Sequence, residues 1–430
     1  MRNICIIGTG HVGLITGVCL ASLGNKVICV DSDKEKIEKL KREVIPIYEP
    51  NLEEMVRENI REDRISFTTS IPTGVRESEI IFISVSTPSK PNGETDLRYV
   101  EAVSTEIARS MDSYKVIVEK STVPVKTGER IKKTIEINNP RNIEFDIVSN
   151  PEFLREGEAI HDFMHPDRIV IGVEQERAKD IMLELYRPLN VPIIVTDIKS
   201  AELIKHASNS FLALKISYIN AVSQICEKVG TDIKEVAKGM GLDKRIGHDF
   251  LEAGVGYGGS CFPKDLSAFI KISHDLGYDF ELLKAVQRIN AMQRKKVVEK
   301  VKELLWILSG KTIGILGLSF KPNTDDMREA PSVTIINSLQ KEGGRIKAYD
   351  PKAIHEAKKI IKDVEFSHNP YDLAKGCDCL VILTEWDEFK RLDLKRIKDL
   401  LNQPNIIDGR NIFEPKEMKK LGFNYKGIGR

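Results

Sequence analysis

The stretch Asn3–Asp31, NICIIGTGHVGLITGVCLASLGNKVICVD, decides the fold. An apolar run of strand type, NICII, ends at Gly8, and a second, KVICV, ends at Asp31. Between them residues 12–23 read as a helix of small and apolar residues, so the chain opens with a βαβ unit. Its first turn, Gly8-Thr-Gly10-His11-Val12-Gly13, is GxGxxG. Alone that pattern is common. Here it follows a strand, opens a helix, and is followed eighteen residues after Gly13 by a carboxylate at the end of the next strand. That combination is a dinucleotide fingerprint: a tight turn, a backbone that can approach pyrophosphate at a helix N-terminus, and an acid for the ribose hydroxyls. Asp31 would repel a 2′-phosphate, which favours NAD over NADP, although Lys34 and Lys36 stand close by.

Working outward, strand-like runs at 80–85, 115–119, 145–149 and 169–172 alternate with helical patterns at 34–42, 98–111 and 127–136. Such alternation predicts a parallel, doubly wound sheet. From 198 to about 303 the texture is helical, with patterns over 198–229, 232–240, 264–276 and 280–305. The first of these has neither Pro nor Gly and is long enough to connect two lobes and present a dimerisation face. Strand-like runs return at 311–316, 345–349, 379–383 and 405–407, with a helix pattern at 332–342, and strand–glycine–helix–strand–Asp recurs. The expected architecture is α/β: two Rossmann-like doubly wound domains, 1–197 and 306–430, joined by a central helical domain, 198–305, with a long connecting helix.

Composition is that of an ordinary soluble protein. Of 430 residues, 41% are hydrophobic and 30% charged, with a formal net charge of +1, so nothing points to a nucleic-acid or polyanionic partner. No apolar run is long enough to span a membrane, and the N-terminus lacks the layout of a signal peptide. Seven cysteines scattered without a CxxC pair read as reduced thiols of a cytoplasmic protein. Cys5, Cys19 and Cys29 lie in apolar runs and read as core. The eight histidines show no ligand spacing, and no metal site is expected.

Other segments admit two readings each. Ser84–Pro88 (SVSTP) and Ser121–Pro124 (STVP) follow strands, so their hydroxyls either face the cofactor crevice or cap the next helix. Asn150–Gly157 (NPEFLREG) reads first as a helix start with acids near its positive end, Glu152 and Glu156 then sharing one face. Lys205 and Asn209, four apart on an apolar helix, either line a polar pocket or let the lysine snorkel outward. Cys261, within GYGGSCFPKD (256–265), is either one more buried cysteine or a thiol just before a helix N-terminus, where the dipole favours thiolate. The glycines at 254, 256, 258 and 259 suggest a backbone crowded by a ligand. Lys321 and Arg328, in a loop after a strand, either hold phosphates or sit on a charged surface.

Together these stretches resemble the UDP-glucose/GDP-mannose 6-dehydrogenase family along the whole chain and in order. The likeness is carried by GTGHVG with Asp31, IPIYEPNL (45–52), SVSTPS, STVPV, NPEFLREG, the Lys205/Asn209 helix, RIGHDFLEAGVGYGGSCFPKD (245–265), GLSFKPNTDDMREAPS (317–332) and DGRN (408–411). The segment 245–265 is the most specific of them.

The resemblance implies oxidation of a nucleotide sugar's C6 alcohol to a carboxylate with two NAD and one water, UDP-glucose being the favoured substrate. It implies Cys261 as nucleophile towards the aldehyde, Lys205 as cationic stabiliser of the oxyanion, and Asn209 as its orienter. Asp265 with Thr122 would hold a proton-relaying water, and Glu152 would assist thioester hydrolysis. NAD would contact Gly8, Gly10, His11, Val12, Gly13, Asp31, Lys36, Thr87, Thr122, Glu156, Lys264 and Arg328. The sugar nucleotide would contact Glu152, Phe153, Leu154, Glu156, Lys205, Asn209, Arg245, Phe250, Glu252, Gly256, Tyr257, Gly258, Lys321 and Arg410, one arginine coming from a neighbouring subunit of a homodimer. His11 stands where members often carry an aromatic or apolar residue, and Glu252 where some carry a basic one. GDP-mannose and UDP-N-acetylhexosamine dehydrogenases share the layout. A two-electron 3-hydroxyacid-type dehydrogenase gives Cys261 no role, and a non-catalytic nucleotide-sugar binder gives none to Lys205, Asn209, Cys261 and Asp265.

Overall fold

The computed structural model describes every residue, Met1–Arg430, and the chain divides into two compact units. The first comprises Met1–Ser208 with Ser267–Tyr278, the second Asn209–Leu266 with Asp279–Arg430. The helix Ile198–Val229, a continuous 32 residues as the absence of Pro and Gly predicts, contributes to both. No helix is long and apolar enough to cross a membrane.

The first unit holds an eight-stranded sheet: β1 (Asn3–Ile7), β2 (Lys26–Val30), β3 (Ile65–Thr68), β4 (Ile80–Ile83), β5 (Lys115–Glu119), β6 (Phe145–Ser149), β7 (Ile169–Val173) and β8 (Ile193–Thr196). Their spatial order is β3-β2-β1-β4-β5-β6-β7-β8. Alternate residues of the central strands enter two cores, one on each face. Ile4, Ile6, Ile80, Phe82, Val116 and Val118 face one way, and Cys5, Ile7, Ile81, Ile83 and Ile117 the other. That two-sided burial is why these strands read as unbroken apolar runs. Chain order reverses between β1 and β4, which pair in parallel from Ile4↔Ile80 to Ile7↔Ile83. Their carboxyl ends flank the crevice in which such sheets bind ligands.

One departure from the all-parallel expectation matters. β7 runs antiparallel to β6, with Ser149 opposite Gly172. A parallel connection must carry the chain back along the sheet, usually through a helix. Here the connection, which contains the six-residue helix Ala159–Met164, does not recross the sheet, and the chain enters β7 from the carboxyl edge. NPEFLREG therefore lies at that edge, and it is not the start of a helix. Residues 151–155 are irregular, Glu156 is in a turn, and Gly157 has φ +83°.

The second unit holds a six-stranded, wholly parallel sheet: β9 (Thr312–Leu316), β10 (Arg345–Tyr349), β11 (Val364–Phe366), β12 (Cys379–Ile382), β13 (Asn405–Asp408) and β14 (Asn424–Lys426). The order β11-β10-β9-β12-β13-β14 repeats the reversal between two central strands. The architecture is thus α/β with two Rossmann-like sheets and a helical stretch between them in the chain. The edge strands β3, β8, β11 and β14 are three or four residues long and partly exposed; of these only β8, Ile193-Ile194-Val195-Thr196, carries a short apolar run.

Phe82, fully buried on a central strand, sets a test of this core. Phe82→Ala is expected to lower stability by about 3–5 kcal/mol, read as the midpoint of urea unfolding. Ile137→Ala, at a side chain 73% exposed, should leave the midpoint in place.

Candidate active-site residues

In the first unit the three fingerprint glycines have different neighbours. Gly8 leaves β1 at φ +99°, and a Cβ there would lie 2.5 Å from the Ser84 carbonyl oxygen. A Cβ on Gly13 would lie 1.8 Å from the Gly8 carbonyl oxygen, whereas one on Gly10 would meet nothing within 4 Å. The outer glycines let β1, β4 and the helix His11–Ser22 close on one another. The middle one leaves bare backbone at the helix N-terminus, as a pyrophosphate requires. Beside it the Ser84 hydroxyl is buried without a hydrogen-bond partner. These residues fit a dinucleotide.

Asp31, at the end of β2, is already engaged by its own chain. Its Oδ2 accepts the Thr9 N–H at 2.9 Å, the Thr9 hydroxyl at 2.7 Å and the Lys36 ammonium at 2.9 Å, and Oδ1 accepts the Asp33 N–H at 3.0 Å. Burial alone would raise its proton affinity, but the bonds from Asp33, Lys36 and Thr9 outweigh it and hold the carboxyl below its usual range. The two Ser-Thr-Pro loops are latched to each other. Thr87 donates its hydroxyl to the Thr122 carbonyl at 3.0 Å, and Ser121 donates to Val85 at 2.9 Å. Those hydroxyls serve the loops and do not cap the following helices.

Glu152 and Lys205 meet as a buried ion pair, Oε1 to Nζ 3.2 Å, with side chains 5% and 4% exposed. The lysine therefore does not snorkel. Glu152 Oε2 accepts the Leu154 N–H at 2.6 Å, which turns the loop tightly behind it. The Phe153 ring has the Arg168 guanidinium 3.7 Å from its centroid and the Lys205 ammonium 5.2 Å away. Glu156 is half-buried in the turn and shares no helix face with Glu152. His206 is buried, with Nε2 2.8 Å from the Val123 carbonyl oxygen, a structural role as its lack of ligand spacing suggests.

Sequence reasoning assigned nothing to Glu49. It is buried in IPIYEPNL, accepts the Gly157 and Ala159 N–H groups at 2.7 Å each, and lies 3.0 Å from His11 Nε2. It joins the loop after β6 to the start of the glycine-loop helix. An acid inside an otherwise apolar, proline-bounded stretch was the available signal.

In the second unit, Cys261 immediately precedes the helix Phe262–Asp275, and its carbonyl accepts the Asp265 N–H at 2.8 Å. It is half-exposed, while the other six cysteines are buried. Its Sγ lies 3.6 Å from the Ser260 hydroxyl. Asp265, one turn on, is buried; Oδ2 accepts the Asn209 amide at 2.6 Å and Oδ1 is 2.7 Å from the Lys264 ammonium. Lys264, expected at the cofactor, is thus also Asp265's ion-pair partner.

Three glycines of this segment are crowded by protein. A Cβ would lie 2.5 Å from Asn290 Oδ1 at Gly256, 2.4 Å from the Glu329 carbonyl oxygen at Gly258 and 2.8 Å from the Phe320 ring at Gly259. Asn290 holds Tyr257 like a strand partner, accepting its N–H at 2.8 Å and donating to its carbonyl at 3.0 Å. Asn220 accepts the Gly254 N–H at 2.8 Å, and Gln293 donates to the Gly254 carbonyl at 2.7 Å. These three buried amides were missed; their signal is polarity at helix positions that face inward. The Tyr257 and Phe262 rings meet edge-on at 5.8 Å, with Phe250 6.1 Å from Phe262.

Arg410 is gathered to the same segment, donating to the carbonyls of Leu383 at 2.9 Å and Phe320 at 3.2 Å; a Cβ on Gly254 would lie 3.3 Å from its Nη1. Lys321, next to Phe320, is half-buried. Arg328 is exposed and paired with Asp326 at 2.7 Å, and Glu252 is exposed. Arg245 is not gathered: its side chain is 89% exposed and binds only its neighbour Asp243, at 2.6 Å.

Three family descriptions match the chain in order. Residues 2–190 match the NAD binding domain of the UDP-glucose/GDP-mannose dehydrogenase family, 199–292 its central domain and 314–415 its UDP binding domain. The chain is 49% identical to a UDP-glucose 6-dehydrogenase, TuaD, of Bacillus subtilis, covering 100% of this chain and 94% of that protein. It is 45% identical to a UDP-glucose 6-dehydrogenase of Rhizobium meliloti, over 100% of this chain and 99% of that one. The structure of a UDP-glucose dehydrogenase from Pyrobaculum islandicum superposes with a TM-score of 0.94 at 38% identity, covering 100% and 98% of the two chains. The cofactor is NAD and the chemistry is that of an oxidoreductase. With a fingerprint loop shaped for a dinucleotide and full-length likeness in all three parts, the chain belongs to the UDP-glucose/GDP-mannose dehydrogenase family.

Proposed function

We propose that this enzyme oxidises the C6 hydroxyl of UDP-glucose to the carboxylate of UDP-glucuronate, removing two hydrides and three protons and adding one water. The observation that carries the reading is Cys261: the one half-exposed thiol of seven, seated at a helix N-terminus with the Asp265 carboxylate one turn on. That is where a helix dipole stabilises a thiolate. The UDP-glucose 6-dehydrogenases among its relatives support the choice of substrate.

Bound NAD, held by the Gly8–Gly13 turn, the Ser84 hydroxyl and the Asp31 end of β2, supplies the acceptor for each hydride. Asp265, fixed by Asn209 and Lys264, takes the first proton through water as the alcohol becomes an aldehyde. The Cys261 thiolate then adds to the aldehyde carbon. A C–S bond forms, the C=O π pair moves to oxygen, and the resulting thiohemiacetal again bears a C–H beside an oxygen that can lose a hydride. Its loss leaves a thioester. Lys205 is assigned to the negative oxygen in these steps. Glu152, held 3.2 Å from Lys205, assists water in breaking the C–S bond, releasing carboxylate and regenerating the thiolate.

A homodimer is part of this reading. Phe211, Tyr218 and Ile225 recur at seven-residue intervals on the long helix and are 59%, 51% and 61% exposed, with Val229 at 68% beyond them. Such a stripe suits a second copy of the helix. Arg245, exposed and bound only to its neighbour Asp243, is assigned in this reading to a partner's substrate.

NADH yield per sugar decides among readings. UDP-glucose should give two NADH per molecule, with GDP-mannose and UDP-N-acetylhexosamines turned over far more slowly. One NADH per sugar would indicate a two-electron dehydrogenase, and none a binder. Cys261→Ser is expected to abolish carboxylate formation; two NADH per sugar from Cys261→Ala would sink the thioester route.

Lys205→Met should cut kcat roughly 10²–10³-fold, as loss of an oxyanion donor does. It should also destabilise the fold by about 3–5 kcal/mol, because Glu152 is left buried without its partner. Phe211→Glu with Ile225→Glu should convert the dimer to monomer in sedimentation velocity; an unchanged sedimentation coefficient would place the interface elsewhere.

A further inference from the structure

The helix Thr127–Asn138 starts without a side-chain cap of its own: Lys126, at the N-cap position with φ +75°, supplies no acceptor. The acceptor comes from the long helix. Glu202, 3% exposed, takes the Lys126 N–H on Oε2 at 2.6 Å and the Gly128 N–H on Oε1 at 2.7 Å. A carboxylate that spans two N–H groups at a helix N-terminus is a charge-assisted cap. Gly128 makes room for it, since a Cβ there would lie 2.5 Å from Ile198 Cγ2 and 3.5 Å from Glu202 Oε1. One turn further along the long helix, His206 Nε2 lies 2.8 Å from the Val123 carbonyl oxygen. Lys205 stands between these two residues in the same helix. The loop they grip, 121–126, carries Thr122. Its other ties come from the sheet edge: Glu119 Oε1 accepts the Ser121 N–H at 2.7 Å, and Thr87 donates to the Thr122 carbonyl.

A serine or aspartate at position 126 could cap the helix locally. A cap reaching across from the long helix does what a local one cannot: it ties the Thr122 loop to the element that carries Lys205. We propose that Glu202 is a positioning residue for the first oxidation, holding the Thr122 loop, together with His206, in register with Lys205. This role rests on the reading of Thr122 as a holder of the water that takes the first proton from the alcohol. Lys205 belongs to a continuous helix and keeps its own ion pair with Glu152 at 3.2 Å, so weakening the Glu202 cap displaces the loop and leaves the lysine in place. The two oxidations then respond differently. The alcohol must give up a proton as its hydride leaves, whereas the thiolate adduct of the aldehyde is already an oxyanion and has no proton to relay.

The test separates the two oxidations on the full-length enzyme. Stopped-flow single turnovers follow NADH formed from UDP-glucose and, separately, from its C6 aldehyde, with thermal melts alongside. In Glu202→Gln one oxygen still accepts, while the other position turns an amide N–H towards a backbone N–H. The first NADH from UDP-glucose should form roughly 10–10²-fold more slowly, the scale of a displaced reacting group, and NADH from the aldehyde within about twofold of the wild-type rate. Equal slowing of both, as a general loss of structure would give, overturns the proposal, and so does no slowing of either. Should Glu202→Gln fail to fold, His206→Phe keeps a ring of similar bulk and removes the tie to Val123. It should show the same selectivity at roughly two- to tenfold, and slowing that is equal on both substrates, or absent, counts against the idea. Thr122→Val, which lacks the hydroxyl, should slow the alcohol phase alone. If it slows neither phase, or both alike, the reading of Thr122 fails and the role of Glu202 with it. A selective loss in Thr122→Val without one in Glu202→Gln removes only the role of Glu202.

Discussion

Around Gly8 the backbone is packed so closely that one methyl group would strike the Ser84 carbonyl, and another on Gly13 would strike Gly8 itself. This contact between the ends of β1 and β4 sits where strand order reverses, and much of the first unit is arranged around it. The two carboxyl ends cannot both be followed by helices on one face, so the chain leaves them in opposite directions and opens a crevice. Gly10 lies at that opening with bare backbone, and Ser84, packed against Gly8 and Gly13, keeps a buried hydroxyl without a partner. The absence of side chains at three positions creates the room, and the helix N-terminus supplies the field.

The antiparallel turn from β6 to β7 is a second consequence of a local constraint. A connection that does not recross the sheet keeps Glu152, Phe153 and Glu156 at the carboxyl edge. Glu49 then ties that loop to the start of the glycine-loop helix through two backbone N–H groups. One buried carboxylate thus couples the placement of the loop after β6 to the glycine-rich turn.

Charge is buried at several points of the fold, among them residues to which chemistry is assigned. The Lys205–Glu152 pair and the Asp265–Lys264 pair are desolvated, which is costly unless the partners are well fitted. Asp31 and Asp350 show the same economy at the two β2-type strand ends. Asp350 accepts the Leu318 and Ser319 N–H groups at 2.7 and 3.1 Å, as Asp31 accepts Thr9, so each carboxylate braces the turn after the preceding strand.

Pattern along the chain was enough to read the two Rossmann-like sheets, the long helix Ile198–Val229, the dinucleotide turn and the place of Cys261 before a helix, because each depends on residues near one another in sequence: apolar runs, glycine spacing, freedom from Pro and Gly. The short edge strands escaped: β3, β11 and β14 are half-exposed and carry little hydrophobic signal, and the apolar run of β8, Ile193-Ile194-Val195, is very short. NPEFLREG was misread as a helix start because its conformation is set by a turn and an edge that local propensity does not register. The crowding of Gly256, Gly258 and Gly259 by Asn290, Glu329 and Phe320, the pairing of Lys205 with Glu152, and the contacts of Glu49 and Glu202 were decided only in three dimensions. Each such contact joins residues far apart in the chain, which local pattern cannot register.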